Sequence, residues 1–501
     1  MNKLDAILNR LTMYRLVVYA LCALTAIGIG AALLGHSSTS ATAMVISLGL
    51  LLCSAYATDA VFGRLFNVPT NSQSWLITGL ILFLIVHPAT SVITAVALVL
   101  AGAVSSASKF LLARSGKHIF NPAALAAALL GATGLTATTW WIGSAMFWPF
   151  TLILGAAVVR KIRRVPLVLS FVTSSLVFQL IQISYNHQPL LANLEHALFS
   201  SPLIFLGTIM LTEPATMPPR RGHQMIFGGL VGLLYIGAWQ IGPLVIYPEV
   251  ALLIGNIYAY AVSPKFRLRL ELKEIQRISD HVYNYVFSPD QPFRFRPGQY
   301  MEWTLAGVPY DSRGNRRSFT IASSPTERDV HLGIKYYEPA STYKATLAGL
   351  RPGATIYASH LAGDFTLGSN AREKLALIAG GIGITPFRSM VKYLIDSNER
   401  RDVVLLYAVA DARELAYGDV FRQAARVGIK TIPIVTRGNE TGPGMVASKM
   451  SSRLISSLIP DFAQRTFFIS GPNVMVDSTV EYLDALGVDS ARIKTDHFSG
   501  Y

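Results

Sequence analysis

The chain has 501 residues, of which 51% are hydrophobic and 14% charged, and its formal net charge is +14. The apolar excess lies before residue 264, where 13 Lys and Arg residues accompany 5 Asp and Glu residues. The remainder has 30 basic and 24 acidic residues, a balance typical of a globular fold. Basic runs interleaved with aromatic residues do not occur, which excludes an ordinary nucleic-acid surface. Composition therefore predicts a membrane domain, over 1–263, joined to a globular part.

Ten apolar stretches precede residue 264. Several are shorter than the ~20 residues that a helix needs to cross a bilayer, so the charges must decide their count. All 13 Lys and Arg residues of this part lie at the start of the first stretch, before it, or in every second loop. Because positive charge stays on the cytoplasmic side, we expect ten helices in the lipid bilayer of the cell (inner) membrane, with both chain ends cytoplasmic. The stretches are 14–34, 43–62, 74–87, 91–108, 121–136, 141–159, 165–184, 197–213, 224–241 and 248–263.

Two proline marks repeat within this part. The third stretch ends in "HPAT" at 87–90, and the eighth ends in "EPAT" at 213–216. Pro122 and Pro248 each follow 34 residues after the proline of the preceding mark. Five stretches separate the two copies, and an odd number gives them opposite directions. The pattern indicates inverted five-helix repeats, in which broken helices surround a site inside the membrane. The alternative is that each Pro-Ala-Thr simply ends a helix, and four prolines at two equal spacings argue against it.

Three motifs of this part resemble the family of membrane flavin subunits found in the sodium-pumping NADH:quinone reductase and in the Rnf electron-transport complex. They are "SGKHIFNPAALAAALLG", "MLTEPATMPP" and "YPEVALLIGNIYAYAVSP". The resemblance covers about 13–263 and implies electron transfer across the bilayer. It also implies FMN or riboflavin between the repeats, with Asn121, Glu213 and Thr216 binding it. The family attaches FMN in a Gly-Ser-x-Gly-Glu-Thr context, which is absent here, so we do not expect covalent attachment.

The globular part changes pattern once. Short alternating strands with Pro and Gly turns predict an antiparallel β-barrel over 264–370. Strand, glycine turn and amphipathic helix then alternate, which predicts a doubly wound parallel α/β sheet over 371–501. In that segment Gly380, Gly381 and Gly383 follow a buried strand and open a helix. Such a turn lets a pyrophosphate approach the free amides of the helix, although it is not the G-x-G-x-x-G fingerprint.

Five motifs in order resemble the ferredoxin–NADP reductase family across 266–501. They are "RRSFTIASSP", "ASTYKATLAGLRPG", "AGDFTL", "GGIGITPFRSM" and "ISGPNVMV". The resemblance implies an FAD-binding barrel domain and an NAD(P)-binding α/β domain. Arg317 would pair with the flavin diphosphate, with Ser318 beside it. Phe319 would pack on the flavin, and Thr320 would hydrogen-bond the ring near N5. Ser341 and Thr342 match the second phosphate-contacting turn.

The same resemblance assigns the dinucleotide site. The phosphates of NADH or NADPH would be held by Gly380, Gly381, Gly383, Thr385 and Pro386. The nicotinamide wall would comprise Ser470, Gly471, Pro472 and Met475. Tyr501 matches the aromatic residue that covers the flavin face in the family. Thr320, Ser470 and Tyr501 are therefore the predicted catalytic residues, and no metal site is predicted.

The choice between NADH and NADPH stays open at this point. Arg437 could meet a 2′-phosphate, but no second basic residue adjoins it in the sequence. The predicted function is an NAD(P)H-dependent flavin oxidoreductase. Electrons would pass from cytoplasmic NAD(P)H through FAD and a membrane flavin to a quinone, to an extracytoplasmic flavin or metal acceptor, or to a partner redox protein.

Two other functions share parts of this pattern. A redox-driven ion-translocating subunit of a larger complex would use Asp59, His87 and Glu213, which are ionisable groups within or beside the apolar stretches. A haem-type ferric reductase would need two facing pairs of membrane histidines. Nearly all six histidines before residue 264 lie at the ends of stretches or in loops, which argues against haem.

Overall fold

The computed structural model describes residues 8, 11–66, 73–114, 117–237, 239–241, 244–305, 315–337, 340–437 and 442–498. The chain forms two compact units, one over Asn2–Lys265 and the other over Phe266–Tyr501. The first is helical, and the second combines an antiparallel with a parallel sheet.

Helices dominate the first unit. They are α1 (Met13–Leu33), α2 (Ala41–Leu65), α3 (Ser74–Ile85), α4 (Val92–Leu111), α5 (Pro122–Thr133), α6 (Trp148–Ile162), α7 (Val165–Tyr185), α8 (Leu190–Phe199), α9 (Leu203–Phe205), α10 (Arg221–Ile236) and α11 (Pro248–Val262). A π-helical turn, Leu206–Met210, continues α9. Two short hairpins complete the unit: β1 (Ala113–Arg114) with β2 (Lys117–His118), and β3 (Gln240–Ile241) with β4 (Leu244–Val245).

Length and composition qualify some of these helices as membrane spans. Within the described residues, α1, α2, α4 and α7 are long and apolar enough to cross a bilayer. A fifth candidate is the pair formed by α8 and Leu203–Met210, which is bent by 47°. The helices α3, α5 and α11 are apolar but only 12, 12 and 15 residues long. Ten membrane crossings therefore stay a prediction.

The prolines of the sequence repeat lie at helix boundaries. Helices α5 and α11 begin at Pro122 and Pro248, where a proline loses no hydrogen bond because the first amides of a helix are unpaired anyway. Asn121 caps α5 by accepting a bond from the amide of Ala124 at 3.0 Å. The two short helices pack against each other in the core of the unit.

Small residues allow the longer helices to approach closely. A Cβ atom on Gly232 of α10 would stand 2.4 Å from the carbonyl oxygen of Phe171 on α7. One on Gly102 of α4 would stand 2.8 Å from the carbonyl oxygen of Leu51 on α2. Close backbone approach at small residues is typical of helix packing in lipid.

The second unit begins with an antiparallel sheet. Its strands are β5 (Arg267–Arg277), β6 (Val282–Pro289), β7 (Tyr300–Thr304), β8 (Arg316–Thr320), β9 (Val330–Lys335) and β10 (Thr355–Ala362), and α12 (Thr342–Ala348) precedes β10. The strand order is β8-β7-β10-β5-β6-β9. Alternate residues of β5 point inward, so that Leu268, Leu270 and Leu272 are buried against Trp303. This half-barrel is the antiparallel element that the sequence predicts.

A parallel sheet follows. Its strands are β11 (Leu375–Gly380), β12 (Val403–Val409), β13 (Ile429–Val435), β14 (Val446–Ala447), β15 (Thr466–Pro472) and β16 (Ile493–Phe498), and its helices are α13 (Thr385–Asp396), α14 (Gly418–Gln423), α15 (Ser452–Leu458) and α16 (Asn473–Ala485). The strand order is β14-β13-β12-β11-β15-β16. The central strands β11 and β12 are buried throughout, as strands covered on both faces must be. The order of successive strands reverses beside β11, which is where ligands bind in open α/β sheets.

Candidate active site

The glycine turn lies at the carboxyl end of β11. A single 3-10 turn, Gly381–Ile384, joins this strand to α13, and Gly381 has a φ of +52°. A Cβ atom on Gly383 would stand only 2.3 Å from the carbonyl oxygen of Ser470 on β15. Thr385 and Pro386 are buried in the first turn of α13. The backbone therefore passes close to the neighbouring strand and presents a helix N-terminus, which suits a pyrophosphate.

The residues predicted for the nicotinamide wall lie beside this turn. Ser470 pairs in register with Ala379, next to Gly380. A Cβ atom on Gly380 would meet Met475 Sδ at 3.1 Å and Pro472 Cδ at 3.3 Å. Gly471 follows Ser470 on β15. The structure therefore brings the four wall residues and the glycine turn together.

Ser470 is fully buried, and its Oγ atom has no hydrogen-bond partner among the described residues. A buried hydroxyl without a partner costs about 1–3 kcal/mol. A polar ligand group at the wall would relieve that cost. This orphaned hydroxyl and the glycine turn fit a bound nicotinamide dinucleotide.

Sequence reasoning missed Asp496 as a neighbour of the wall. Strand β16 pairs with β15 so that Asp496 lies opposite Ser470. Burial raises the pKa of the Asp496 carboxyl to about 6, against the weaker effect of a backbone hydrogen bond at His497. The acid in "KTDHF" was the available signal, but strand pairing was needed to place it. Tyr501, the predicted aromatic cover, lies outside the described residues.

On the half-barrel, the two flavin motifs meet at Tyr343. The Arg317 guanidinium lies over its ring at 5.2 Å from the centroid, and the Phe319 ring centroid lies 5.8 Å away. Tyr343 is buried and donates a hydrogen bond to the carbonyl oxygen of Trp303 at 3.2 Å. Sequence reasoning did not assign Tyr343, although it stands within the quoted "STYK" motif.

The remaining flavin candidates lie around this contact. Ser341 caps α12, accepting a bond from the Lys344 amide at 3.3 Å, and Thr342 begins the helix. Ser318 and Thr320 lie on β8, where Thr320 is buried and pairs with Tyr300 of β7. A cation stacked on a ring and a capped helix beside it form a surface that fits a flavin diphosphate.

A polar cluster joins the two proline-marked segments of the helical unit. Glu213 Oε2 accepts hydrogen bonds from Asn121 Nδ2 at 2.8 Å and from Thr216 Oγ1 at 3.1 Å. His118 Nε2 lies 3.0 Å from Glu213 Oε1. Asn256 Oδ1 accepts a bond from the Asn121 amide at 2.8 Å. The three predicted residues are thus in direct contact, and the sequence analysis missed His118 and Asn256.

A buried carboxylate outside that cluster was also missed. Glu249, in the first turn of α11, is 1% exposed. It accepts hydrogen bonds from Thr138 Oγ1 at 2.9 Å and from Trp140 Nε1 at 3.0 Å. The helix N-terminus favours its negative charge. The "PEV" of the quoted motif was the only sequence signal.

Two other features bear on the site. A depression of about 450 Å³ is lined by residues that include Arg372, Lys374, Thr466 and Lys494. It lies at the amino ends of β11, β15 and β16, the opposite edge of the sheet from the glycine turn, and is therefore separate from the predicted dinucleotide site. Among the residues that the structure describes, no three His, Cys, Asp or Glu side chains are grouped to hold a metal ion.

Arg437 follows β13 and is exposed. Its amide donates to the carbonyl oxygen of Ala410 at 2.9 Å, which places the residue near the end of β12. An ion pair between Asp411 and Arg413, with an N–O distance of 2.9 Å, follows the same strand. A carboxylate and cations are therefore both present at this edge, and the choice between NADH and NADPH stays open.

Comparisons with known proteins agree with this geometry. The family described as the oxidoreductase NAD-binding domain matches residues 377–481. The glycine betaine monooxygenase reductase subunit of Chromohalobacter salexigens is 24% identical over 238 residues, which are 45% of this chain and 62% of that protein. NADH oxidoreductase HCR of Escherichia coli is 25% identical, over 44% of this chain and 65% of its own length. The chain thus spans less than two thirds of the length of these relatives.

Solved structures are similar over the same share of the chain. The cytochrome P450 reductase GcoB of Amycolatopsis has 21% identity and a TM-score of 0.42, over 46% of this chain and 70% of its own. The FAD- and NAD-binding domain of nitric oxide dioxygenase from Vibrio cholerae has 24% identity and a TM-score of 0.41, over 46% of this chain and 98% of its own.

The half-barrel, the parallel sheet and the family match together define a class. The C-terminal part of the chain is a ferredoxin–NADP-reductase-like module that binds FAD and a nicotinamide dinucleotide. This module accordingly has the domain organisation of an NAD(P)H-dependent flavin oxidoreductase.

Proposed function

We propose that the protein is a multi-pass enzyme of the cell (inner) membrane that carries electrons across the bilayer. NAD(P)H would be oxidised at the cytoplasmic reductase module, and electrons would pass through FAD and a flavin in the helical unit. The acceptor would be a quinone or an extracytoplasmic redox partner. The chemistry that FAD supplies when bound is the conversion of a two-electron donor into single-electron steps.

The positions of the reductase residues support the roles that we propose for them. Arg317 offers the flavin diphosphate a charge whose orientation the Tyr343 ring restrains. The turn at Gly380–Gly383 binds the dinucleotide phosphates, and Pro472 and Met475 line the space beside it. Ser470 offers an unpaired hydroxyl at the wall where the nicotinamide would lie.

One observation supports the membrane part of the proposal most strongly. The resemblance of two sequence segments, far apart along the chain, to a flavin-binding family predicts that Asn121, Glu213 and Thr216 bind the membrane flavin. In the structure, Asn121 and Thr216 both donate hydrogen bonds to the Glu213 carboxylate. Irregular backbone is tolerated at membrane depth only where it is packed in protein or lines a cavity, and the ends of short helices meet at this cluster. We propose that the membrane flavin, FMN or riboflavin without covalent attachment, lies beside it.

Flavin content and sidedness test the proposal together. Acid extraction of the purified full-length protein should release FAD and a second flavin, each at about one per chain. In proteoliposomes with ferricyanide inside, NADH or NADPH added outside should reduce the enclosed ferricyanide in those vesicles whose reductase module faces out. A Gly383→Ala variant, which keeps the helical unit unchanged, serves as the control. If extraction releases only FAD and the enclosed ferricyanide is not reduced, the proposal fails and the protein is a membrane-tethered reductase.

Ion translocation is a second candidate because the unit contains buried carboxylates. Asp59 is 4% exposed and Glu249 is 1% exposed, and ionisable groups at membrane depth are functional candidates. A pH or sodium gradient that forms in the same proteoliposomes during NAD(P)H oxidation, and that collapses when transfer is blocked, would favour this function.

A further inference from the structure

Arg388 and Glu327 form a buried ion pair between the two sheets of the reductase module. Arg388 lies on α13, and Glu327 lies in the segment between β8 and β9. Arg388 Nη2 donates to Glu327 Oε1 at 2.9 Å, and Nη1 contacts Oε2, so the guanidinium engages both carboxylate oxygens. The two side chains are only 7% and 18% exposed.

The same guanidinium connects the two predicted cofactor sites. Arg388 Nη1 also donates to the carbonyl oxygen of Ala322 at 3.1 Å. Ala322 is two residues beyond Thr320, and Arg388 is three residues beyond Thr385. The next residue, Ser389, donates from Oγ to the carbonyl oxygen of Ser323 at 2.6 Å. The helix that begins at the dinucleotide turn is therefore tied to the segment that directly follows the flavin strand.

Around the ion pair, the half-barrel and the first turn of α13 are closely packed. A Cβ atom on Gly333 of β9 would stand 2.7 Å from Thr385 Cγ2 and 2.4 Å from Tyr417 Oη. Tyr417 in turn donates from its hydroxyl to Asn284 Oδ1 at 3.3 Å. The half-barrel and the first turn of α13 therefore meet in direct contact, and the ion pair lies within it.

Stability alone does not explain why charges are buried here. Desolvation of an ion pair often cancels its attraction, and an apolar pair of similar volume can serve as well. The Nε atom of Arg388 also lacks a partner among the described residues, which adds to that penalty. A two-pronged arginine–carboxylate pair does supply a fixed orientation, because both groups are planar and bond in parallel.

We propose that Arg388 and Glu327 are positioning residues that fix the dinucleotide turn relative to the flavin strand. The inference rests on the proposed oxidation of NAD(P)H by FAD. Neither residue is assigned a contact with cofactor. They act on the distance and angle between the two rings, and a misplacement of about 1 Å between reacting groups can cost ~100-fold in rate.

Arg388→Met in the full-length protein is the main test, because methionine keeps much of the side-chain volume and removes the guanidinium group that bonds both Glu327 oxygens. We expect the FAD content and the dissociation constant for oxidised dinucleotide to stay within ~3-fold, while the rate of flavin reduction per bound FAD falls ~10- to 100-fold. The deuterium isotope effect with 4-deuterated NAD(P)H should rise. Amides of residues 322–327 should exchange hydrogen faster.

The matched control is Arg277→Met. Arg277 ends β5 and pairs with Asp280 at the protein surface, with an N–O distance of 3.3 Å. This variant should leave the reduction rate, the isotope effect and the exchange of 322–327 unchanged. Arg388→Lys keeps the positive charge but cannot bond both carboxylate oxygens in parallel, so it should recover only part of the rate of flavin reduction.

The outcomes separate this inference from the function on which it rests. A wild-type rate per bound FAD in Arg388→Met would overturn the positioning role, even if the melting temperature or FAD content falls. Should Arg388→Met fail to fold, Glu327→Gln provides the test, since it keeps the side-chain shape and loses the charge. An unchanged rate of flavin reduction per bound FAD in Glu327→Gln would also overturn the positioning role. If neither NADH nor NADPH reduces the wild-type flavin, it is the proposed function that fails.

Discussion

Gly383 and Ser470 touch through their backbones, from a turn and a strand 87 residues apart in the chain. A Cβ atom at 383 would lie 2.3 Å from the Ser470 carbonyl oxygen and 2.7 Å from Gly471 Cα. The glycine turn predicted to bind the dinucleotide is thus in direct backbone contact with the predicted nicotinamide wall, and no side chain fits between them. This contact fixes where the predicted ligand can lie.

Gly383→Ala should therefore displace the turn from β15. We expect the affinity for NAD(P)H, measured by titration, to fall at least 10-fold, while the FAD content changes little because the flavin residues lie on the half-barrel. Gly353→Ala, at a surface turn with open space around its Cα, is unsuitable as a control because its φ of +90° would strain alanine. Gly442→Ala is suitable, since its nearest neighbours are the flexible atoms of Met445 at 3.4 and 3.7 Å. Equal affinities in both variants would contradict the assignment of the turn.

Ser470→Ala separates stability from catalysis. Removing a buried hydroxyl without a partner should leave thermal stability unchanged or raise it slightly, by up to about 1 kcal/mol. Flavin reduction by NAD(P)H should slow by ~3- to 30-fold if the hydroxyl contacts the nicotinamide. Ser470→Cys should restore part of the rate, since it places a polar side-chain group of similar size at this position. A stability loss without a rate loss would assign Ser470 to packing alone.

His331 should make the reductase module sensitive to acid. Burial and the nearby Arg388 charge lower the pKa of His331 to about 4, although neighbouring carboxylates oppose the shift. The unfolded chain, with an ordinary pKa of about 6.5, then binds the proton first. Stability is fully present above pH 6.5 and falls as the pH decreases toward 4.

His331→Gln should remove that sensitivity. Between pH 7.5 and pH 5, the melting temperature of the reductase transition should fall ~5 °C further in the wild type than in the variant. Differential scanning calorimetry of the full-length protein at the two pH values measures the difference. His36→Gln, in the helical unit, controls for a general effect of losing a histidine. Parallel pH profiles for the wild type and His331→Gln would refute the expected pKa.

The Asn121–Glu213 contact makes a prediction for the helical unit. Asn121→Ala removes a donor to the carboxylate and the cap of α5 together, which should cost ~1–3 kcal/mol. If the membrane flavin lies beside the cluster, this variant should lose that flavin while it keeps FAD. Glu213→Gln, which retains the hydrogen-bonding shape, should lose less. Retention of both flavins in Asn121→Ala would place the membrane flavin elsewhere.

The sequence by itself determined the features that depend on nearby residues. The apolar stretches and the position of every Lys and Arg up to residue 263 are properties of short segments, and so are the prolines at 122 and 248 that begin α5 and α11. The glycine turn and the alternation of strands and helices that follows it were predictable for the same reason. These features are local because the cost of moving a Lys or Arg across the membrane and the backbone restriction of a proline each depend on single residues.

Only the tertiary structure decided which distant groups meet. Asn121 reaches Glu213 across 92 positions, and Arg388 reaches Glu327 across 61. Asp496 came beside Ser470 through the register of β16 against β15. Such pairings result from the packing of whole helices and sheets, in which many weak contacts settle one arrangement. No short segment contains all of those contacts, which is why the sequence could suggest candidate site residues while only the fold identified their neighbours.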